Sequence, residues 1–294
     1  MKMDINMRVR NLEGTNPAAA AQLQQFASNL LKIGEGTAGT PFLIPPYMCL
    51  SGEKSTANLI RDIYGDLQVP ANRLPSALIS KCILTPKNDD VCDINEQTTA
   101  LWPGQPKNYL SADYTKSDDD QAQFPPEVLN SLNPQGLPPH QLQLKVGIPI
   151  ILLRNLNPKI GLANGTRLII TEMRPRLIKA QILSGTFKDQ EVLIPRIPLA
   201  PSDSKLLPVK FTRLQFPIRP AFAMTINKSQ GQTFSKVGIF LPKPVFSHGQ
   251  LYVAMSRVGS PHGIRFLVLN AQQPGDLHGR TYTDNVVYSE VFND

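Results

Sequence analysis

The stretch Phe216–Thr233, FPIRPAFAMTINKSQGQT, decides the fold class, because an apolar strand in it runs directly into a short polar loop. Phe222–Ile226 has the apolar character of a buried strand. A second apolar run, Val237–Leu241, follows after a loop that contains Gly231, and a helix is predicted over Gly249–Met255. Strands that alternate with polar loops and helices indicate an α/β layer.

The first part of the chain shows the same kind of pattern. Pro17–Ile33 is predicted to be a helix, because apolar residues recur at three- and four-residue steps and proline suits the first position. Thr56–Tyr64 is predicted as a second helix and Cys82–Leu84 as a short strand. Asp89–Leu101 is predicted as a helix whose early acidic residues suit its positive end. Phe124–Pro139 is rich in proline and is predicted to be irregular.

Short β-rich runs fill the middle of the chain. These runs are Ile148–Leu153, Arg167–Thr171, Leu177–Leu183 and Glu191–Ile194. Turn residues separate them at intervals of about ten residues, a spacing that predicts a small β-barrel or meander. The sequence therefore predicts a β module that is inserted into an α/β domain, which begins before the module and ends after it.

Positive charge is concentrated in one block of the sequence. Residues 145–257 contain 17 Lys and Arg against 4 Asp and Glu, whereas the whole chain has a net charge of +7. This asymmetry indicates an anionic partner, with nucleic acid as the first candidate, and an ordinary solvated basic surface is the alternative. Hydrophobic residues make up 41% of the chain, which is enough for a core and excludes full disorder.

Several other classes of protein are disfavoured by the sequence. No apolar run is long enough to span a bilayer, and Met1–Arg10 lacks the apolar segment of a secretory signal. The three cysteines, Cys49, Cys82 and Cys92, cannot form a fully paired set, so reduced thiols in an intracellular protein are predicted. The four histidines are scattered and no Cys/His spacing indicates zinc, so no metal site is predicted.

Three short segments carry candidate chemistry. Thr225–Thr233 gathers hydroxyl, ammonium and backbone N–H donors that suit phosphate oxygens, although an ordinary polar loop is the alternative. Gln250–Val258 ends a predicted helix with Arg257. This arginine either complements the helix dipole or reaches a phosphoryl group as an arginine finger. Asn6–Arg10 places two arginines before the first helix, where a solvated basic pair is the default interpretation.

Together and in this order, these segments resemble motifs IV, V and VI of superfamily 1B DNA helicases. This branch includes the petite-integration-frequency helicases and the helicase part of Helitron transposon proteins. The resemblance is carried by Asn6–Arg10, Ile83–Glu96, Leu137–Asn155, Gly161–Ile170, Phe216–Thr233 and Phe246–Ser260. It implies an α/β fold in which 1–144 and 215–294 form the second of two RecA-like, P-loop-type motor domains. It also implies a small SH3-like β-barrel inserted at 145–214.

The resemblance also implies roles for single residues. Arg8 matches the motif IV arginine that faces the nucleotide phosphates, and Arg257 matches the motif VI arginine finger. Gln230 and Gly231 match the part of motif V that couples the nucleotide cleft to DNA. The positions that match contacts to the backbone of single-stranded DNA are Thr225, Asn227, Lys228 and Ser229, of which Asn227 replaces the histidine usual in cellular helicases. Because finger residues act across a cleft, Arg257 is expected near Arg8 and without a partner in its own domain.

The phosphate-binding sequence of P-loop enzymes, G-x-x-x-x-G-K-[ST], is not found in this chain. Gly52–Ser55 contains Lys-Ser, but Met48 and Glu53 occupy the two glycine positions, and the carboxylate would repel phosphate. A helix start is predicted there instead. Asp89 and Asp90 are likewise predicted to cap a helix and not to form a Walker B pair.

The resemblance implies the C-terminal half of an ATP-dependent 5′-to-3′ DNA helicase, in an intracellular location, the nucleus. ATP and Mg²⁺ are expected only with a first motor domain upstream of Met1 or in a partner chain, so this chain alone is expected to bind neither and to hydrolyse no ATP. The alternative is a non-catalytic, nucleic-acid-binding remnant or subunit of a transposon-derived helicase. Roles in DNA repair, recombination, telomere maintenance and transposition all stay open.

Overall fold

A computed structural model describes residues 17–115, 123–134, 136–201, 207–269, 280–288 and 290. The chain forms two compact units and passes between them at four points, of which the one between Ile94 and Asn95 lies within an α-helix. Unit 1 is drawn from Met1–Asp66, Ser80–Ile94 and Ala223–Asp294, and unit 2 from Leu67–Ile79 and Asn95–Phe222. Unit 2 is therefore larger than the insertion predicted at 145–214, and it begins earlier in the chain.

The described residues form helices and mostly short strands. The helices are α1 (Pro17–Gly34), α2 (Thr56–Tyr64), α3 (Pro75–Ile79), α4 (Asn88–Leu101), α5 (Pro126–Ser131) and α6 (Gln250–Met255). The strands are β1 (Phe42–Leu43), β2 (Lys81–Thr85), β3 (Lys107–Leu110), β4 (Ala112–Thr115), β5 (Gln141–Leu144), β6 (Pro149–Leu152), β7 (Arg167–Met173), β8 (Leu177–Ile182), β9 (Glu191–Pro195), β10 (Ile197–Leu199), β11 (Phe211–Gln215), β12 (Ile218–Pro220), β13 (Ala223–Thr225), β14 (Lys236–Leu241), β15 (Ile264–Val268) and β16 (Tyr282–Thr283). Short 3-10 turns, among them Pro46–Met48, Ile226–Ser229 and Pro261–Gly263, join some of these elements.

Unit 1 is built on a four-stranded parallel sheet with the strand order β13-β2-β14-β15. Every residue of β2 is buried, as is typical of a central parallel strand that is covered on both faces. Helix α2 packs on β2, β14 and β15, and helix α1 packs on α6. The α/β architecture predicted for the two ends of the chain is confirmed.

Close packing of α2 on the sheet depends on a glycine. The buried side chains of Leu59 and Ile63 lie on the helix face that meets β14. A Cβ atom added at Gly238, on β14, would lie 3.1 Å from a side-chain carbon of each of them. Because that distance is shorter than ordinary van der Waals contact, any larger residue would push the helix away from the sheet.

Gly52–Ser55 and the pair Asp89 and Asp90, which superficially resemble Walker motifs, lie at the starts of helices, as predicted. Ser55 is the N-cap of α2, and its hydroxyl accepts a hydrogen bond from the backbone N–H of Asn58 at 3.3 Å. Asp89 and Asp90 lie in the first turn of α4, where a negative charge suits the helix dipole. The hydroxyl of Thr85, at the end of β2, donates to Asp90 at 3.1 Å.

Unit 2 contains antiparallel sheets. The β runs predicted for the middle of the chain form a five-stranded sheet in the order β12-β6-β7-β8-β9, and smaller sheets have the orders β10-β11-β4 and β3-β5. Within the described ranges, β12 pairs only with β6 and β9 only with β8, so a closed barrel is not detected. The prediction that Phe124–Pro139 is irregular is wrong for its first part, which contains helix α5.

A buried ion pair joins three parts of unit 2. Arg213 on β11 lies opposite Asp113 on β4, and both side chains are 0% exposed. The guanidinium donates to the Asp113 carboxylate at 2.6 Å and to the backbone carbonyls of Leu129, Leu132 and Pro138 at 3.0–3.1 Å. Because a buried charge needs both a counter-ion and further hydrogen bonds, this arginine fixes α5 and the segment after it against the sheet.

Candidate functional site

The polar loop after β13 has a fixed backbone. Ile226–Ser229 forms one 3-10 turn, and the N–H of Gln232 donates to the carbonyl of Ser229 at 3.0 Å. Gly231 has a φ of 79°, in the left-handed region that favours glycine. A Cβ atom at Gly231 would meet no atom within 4 Å, so the backbone conformation and not packing selects this residue.

The loop presents several of the predicted DNA contacts to solvent. Its exposed residues include Asn227, Lys228, Gln230 and Gly231, and Thr225 is half-buried. The amide of Asn227 and the ammonium group of Lys228 therefore lie at the surface, where phosphate oxygens can reach them. The side chain of Ser229 is buried, and its hydroxyl donates to the carbonyl of Ile226 at 2.6 Å. The predicted role of Ser229 at the DNA backbone stays a prediction.

Arg257 follows the C-cap of α6 and is half-buried. Its Nε donates to the carbonyl of Val253 at 2.8 Å, and one Nη donates to the hydroxyl of Ser256 at 2.8 Å. The other Nη donates to the carbonyls of Ser229 at 3.3 Å and Gln232 at 3.1 Å. The expectation that Arg257 has no internal partner is therefore wrong, because carbonyls at the end of α6 and in the polar loop attract the cation.

These contacts join the two segments that were matched to motifs V and VI. The guanidinium of Arg257 binds the loop carbonyls, and the backbone carbonyl of the same residue accepts the N–H of Phe234 at 2.8 Å. A displacement of Arg257 would therefore break hydrogen bonds that hold the backbone of the loop bearing Lys228. Arg8 lies outside the described residues, so its proximity to Arg257 stays a prediction.

The loop begins at the carboxyl edge of the parallel sheet. Thr225, the last residue of β13, pairs with Thr85, the last residue of β2. Thr85 donates to Asp90 in the first turn of α4, and partial burial raises the pKa of the Asp90 carboxyl. Ligands of open α/β sheets bind outside the carboxyl ends of the strands. The sequence did not reveal the contact between Thr85 and Asp90, because the polar residues between them gave no sign that the chain turns back.

The positive charge of 145–257 is only partly available to a ligand. Lys145 is buried and donates to two backbone carbonyls, and burial lowers its pKa. Arg167 is buried and donates to two carbonyls at 3.0 and 3.3 Å, and Arg196 and Arg219 also donate to carbonyls. These four cations are bonded to carbonyls of unit 2, so the 17 Lys and Arg of the block do not all face an anionic partner.

The described parts of the chain show few other features of a reactive site. They contain no cluster of three or more His, Cys, Asp or Glu that could hold a metal ion. Cys49, Cys82 and Cys92 form no disulfide with one another. No helix among the described residues has the length and apolar character that crossing a membrane requires.

Comparisons with known proteins identify relatives of this chain. The family model for the DNA helicase Pif1, 2B domain, matches residues 127–173. The human ATP-dependent DNA helicase PIF1 is 32% identical over 182 residues, which are 61% of this chain and 26% of the human protein. The crystal structure of the Pif1 helicase from Candida albicans superposes with a TM-score of 0.54 and 26% identity, covering 85% of this chain and 54% of that one. A Bacteroides Pif1 bound to single-stranded DNA gives a TM-score of 0.53 at 22% identity, over 83% of this chain and 48% of that one.

The resemblance to the petite-integration-frequency helicases is thus confirmed. The chain spans about half the length of the solved Pif1 structures and 26% of the human relative. The match to the 2B domain starts at residue 127, within α5, and so begins before the insertion that the sequence predicted at 145–214.

Proposed function

We propose that this chain, which is similar in sequence and fold to Pif1-type helicases, is the part of an ATP-dependent DNA helicase that holds single-stranded DNA and presents an arginine to the nucleotide. The observation that carries the proposal is the pair of hydrogen bonds from Arg257 to the carbonyls of Ser229 and Gln232. If the guanidinium exchanges these carbonyls for a nucleotide phosphate, the loop that bears Lys228 must respond. This contact would couple nucleotide binding to the grip on DNA.

Each unit has a proposed place in this function. Unit 1 acts as the second RecA-like motor domain, which its parallel sheet and flanking helices support. The five-stranded sheet of unit 2 acts as the inserted domain, which is supported by the match to a 2B domain model at 127–173. Its SH3-like character rests on the resemblance alone. The 5′-to-3′ polarity and the nuclear location rest on the resemblance to this family.

ATP and Mg²⁺ are proposed to bind only when a first RecA-like motor domain, in the same gene product or in a partner chain, is present. The residues described here do not fit a phosphate cradle, because Glu53 replaces a glycine and the hydroxyl of Ser55 caps α2. The chemistry would be transfer of a phosphoryl group to water, with Arg257 stabilising negative charge from the opposite side of the cleft.

The first prediction concerns this chain by itself. The purified chain is expected to show no DNA-stimulated ATP hydrolysis, because it lacks a phosphate cradle and the acids that hold Mg²⁺. A phosphate-release assay with and without oligothymidylate measures the rate. The denatured chain gives the background. DNA-stimulated turnover above that background, abolished by Arg257→Ala, would show that the chain contains a complete active site.

The second prediction concerns the grip on DNA. The chain is expected to bind single-stranded DNA weakly, with a slope of about −0.7 in log K against log salt for each neutralised phosphate. Because Lys228 is exposed on the loop, Lys228→Ala should make the slope less steep by roughly one such step. Fluorescence anisotropy of a labelled oligonucleotide across a salt series gives both slopes.

A matched control removes the same charge elsewhere. Lys54 is also exposed in unit 1 but lies outside the basic block, so Lys54→Ala should leave the slope unchanged. Equal slopes for the Lys228 variant and the unmodified chain would contradict the proposed role of the loop. A binding constant that is independent of salt would identify the exposed basic residues as ordinary solvated surface.

A further inference from the structure

A groove in unit 1 lies outside the segments that match the helicase motifs V and VI. It has a volume of about 290 Å³ and is lined by residues of α1, of the turn Pro46–Met48 and of the turn Pro261–Gly263. Phe26 and Pro261 line it and are buried, and its other walls are polar or aromatic. No acidic side chain lines this groove in the part of the chain that the structure describes.

Two aromatic rings flank the groove. Tyr47 is 55% exposed, which is high for a side chain of that size. Its ring centroid lies 6.0 Å from that of His262, which is also exposed, and the two ring planes are inclined at 46°. Exposed Tyr and His rings are surfaces on which unpaired bases stack, and this contact tolerates any base because every base has a π-face.

The opposite wall is a row of amides. Gln22, Gln25 and Asn29 follow one another at three- and four-residue steps on α1, so they share one helix face, and all three are exposed. Each amide offers both donors and an acceptor, the combination that recognises base edges. Lys32, the next residue at this spacing, is exposed and adds a cation for a phosphate.

We propose that this groove binds one base of single-stranded DNA, stacked on Tyr47 and contacted by the amides of α1. The inference extends the proposed function, since it adds a second contact with the same strand. A volume of about 290 Å³ lies just below the range of ~300–1,000 Å³ typical of ligand pockets, which suits a ligand as small as one nucleoside.

The groove and the loop that bears Lys228 can be tested separately. The turn Pro261–Gly263 precedes β15 and so lies at the amino edge of the parallel sheet. Thr225 ends β13 at the carboxyl edge of the same sheet. Substitutions at one edge therefore leave the side chains of the other edge in place.

Photochemical crosslinking tests the proposal. The full chain is irradiated with an oligothymidylate that carries 5-iododeoxyuridine, and the crosslinked peptide is identified by mass spectrometry. We expect the crosslink at Tyr47 or His262 in addition to any at the loop. Tyr47→Ala should remove it and weaken binding by roughly 5-fold or more, the lower range for the loss of one stacked base.

The controls separate stacking from other effects. Tyr47→Phe keeps the ring and should retain affinity. Tyr114→Ala removes a tyrosine of unit 2 that is 43% exposed and should change nothing. Binding of the oligonucleotide without a crosslink in the groove would overturn this inference and leave the proposed function intact. A crosslink from free 5-iododeoxyuridine monophosphate but not from the oligonucleotide would also overturn it, because the groove would then be a nucleotide site. A failure of the unmodified chain to bind any oligonucleotide would overturn both proposals.

Discussion

Replacing Asp113 by Asn is expected to destabilise unit 2 by about 3–5 kcal/mol, the usual cost of removing one partner of a buried ion pair. The change leaves the guanidinium of Arg213, which is 0% exposed, without its counter-ion. It also weakens the hydrogen bond from the hydroxyl of Ser111 to the same carboxylate, which is 2.7 Å long. Urea unfolding followed by fluorescence measures the loss, because Trp102 is the single tryptophan of the chain and is buried in unit 2.

The matched control breaks an ion pair at the surface. Arg174 and Glu172 form a pair whose side chains are 64% and 47% exposed, and solvent screening leaves such pairs with little effect on stability. Glu172→Gln should therefore shift the unfolding midpoint little. If Asp113→Asn shifts the midpoint no more than Glu172→Gln does, the buried pair does not hold α5 and its following segment against the sheet.

The elements of the parallel sheet could be predicted because such strands are covered on both faces. Their sequences are therefore short continuous apolar runs, and the predicted strands Cys82–Leu84 and Val237–Leu241 fall within β2 and β14. Helix α2 was equally clear, since an apolar face recurs along Thr56–Tyr64 and Ser55 provides the cap. Local periodicity and capping are sufficient for elements of this kind.

Contacts between distant residues could not be predicted in the same way. Strand β4 pairs with β11, and their paired residues Asp113 and Arg213 lie 100 positions apart in the chain. Nothing in the local sequence distinguishes Arg213 from an exposed basic residue, so the charge of the block was counted as surface charge. The partners of Arg257 were missed for a related reason. They are backbone carbonyls, which every residue has, so the residue types of the loop do not reveal them.

The polar loop contains both features that the local sequence predicts and contacts that it does not. Gly231 was singled out by its place in the polar loop and in motif V, and its φ of 79° is one that favours glycine. The exposure of Asn227 and Lys228 agrees with their polar character. The hydroxyl of Ser229 is a hydrogen-bond donor like the side chains of Asn227 and Lys228, but it donates to the carbonyl of Ile226 within the turn. Side-chain type therefore identified the loop, whereas its internal hydrogen bonds decide which members face a ligand.

Arg257→Ala is expected to lower DNA-stimulated ATP hydrolysis by about 10³–10⁵-fold in a protein that joins this chain to a first motor domain from a related helicase. The guanidinium would exchange the carbonyls of Ser229 and Gln232 for phosphate oxygens, so its loss removes both the charge and the link to the loop. Arg257→Lys should also be strongly impaired, because an ammonium group cannot reproduce the planar fork of donors. Turnover is measured by phosphate release at saturating oligothymidylate.

The affinity for single-stranded DNA separates this role from a structural one. Binding should persist in Arg257→Ala, since the exposed groups of Asn227 and Lys228 remain on the loop. It should no longer respond to nucleotide, because the contact between Arg257 and the loop carbonyls is lost. Lys243→Ala, which removes an exposed cation from the segment before α6, should leave turnover nearly unchanged. Full turnover by Arg257→Ala would disprove its role as an arginine finger. A joined protein that binds DNA but hydrolyses no ATP with Arg257 intact would support the alternative of a non-catalytic nucleic-acid-binding chain. The contact between Arg257 and the loop would then not be linked to ATP hydrolysis.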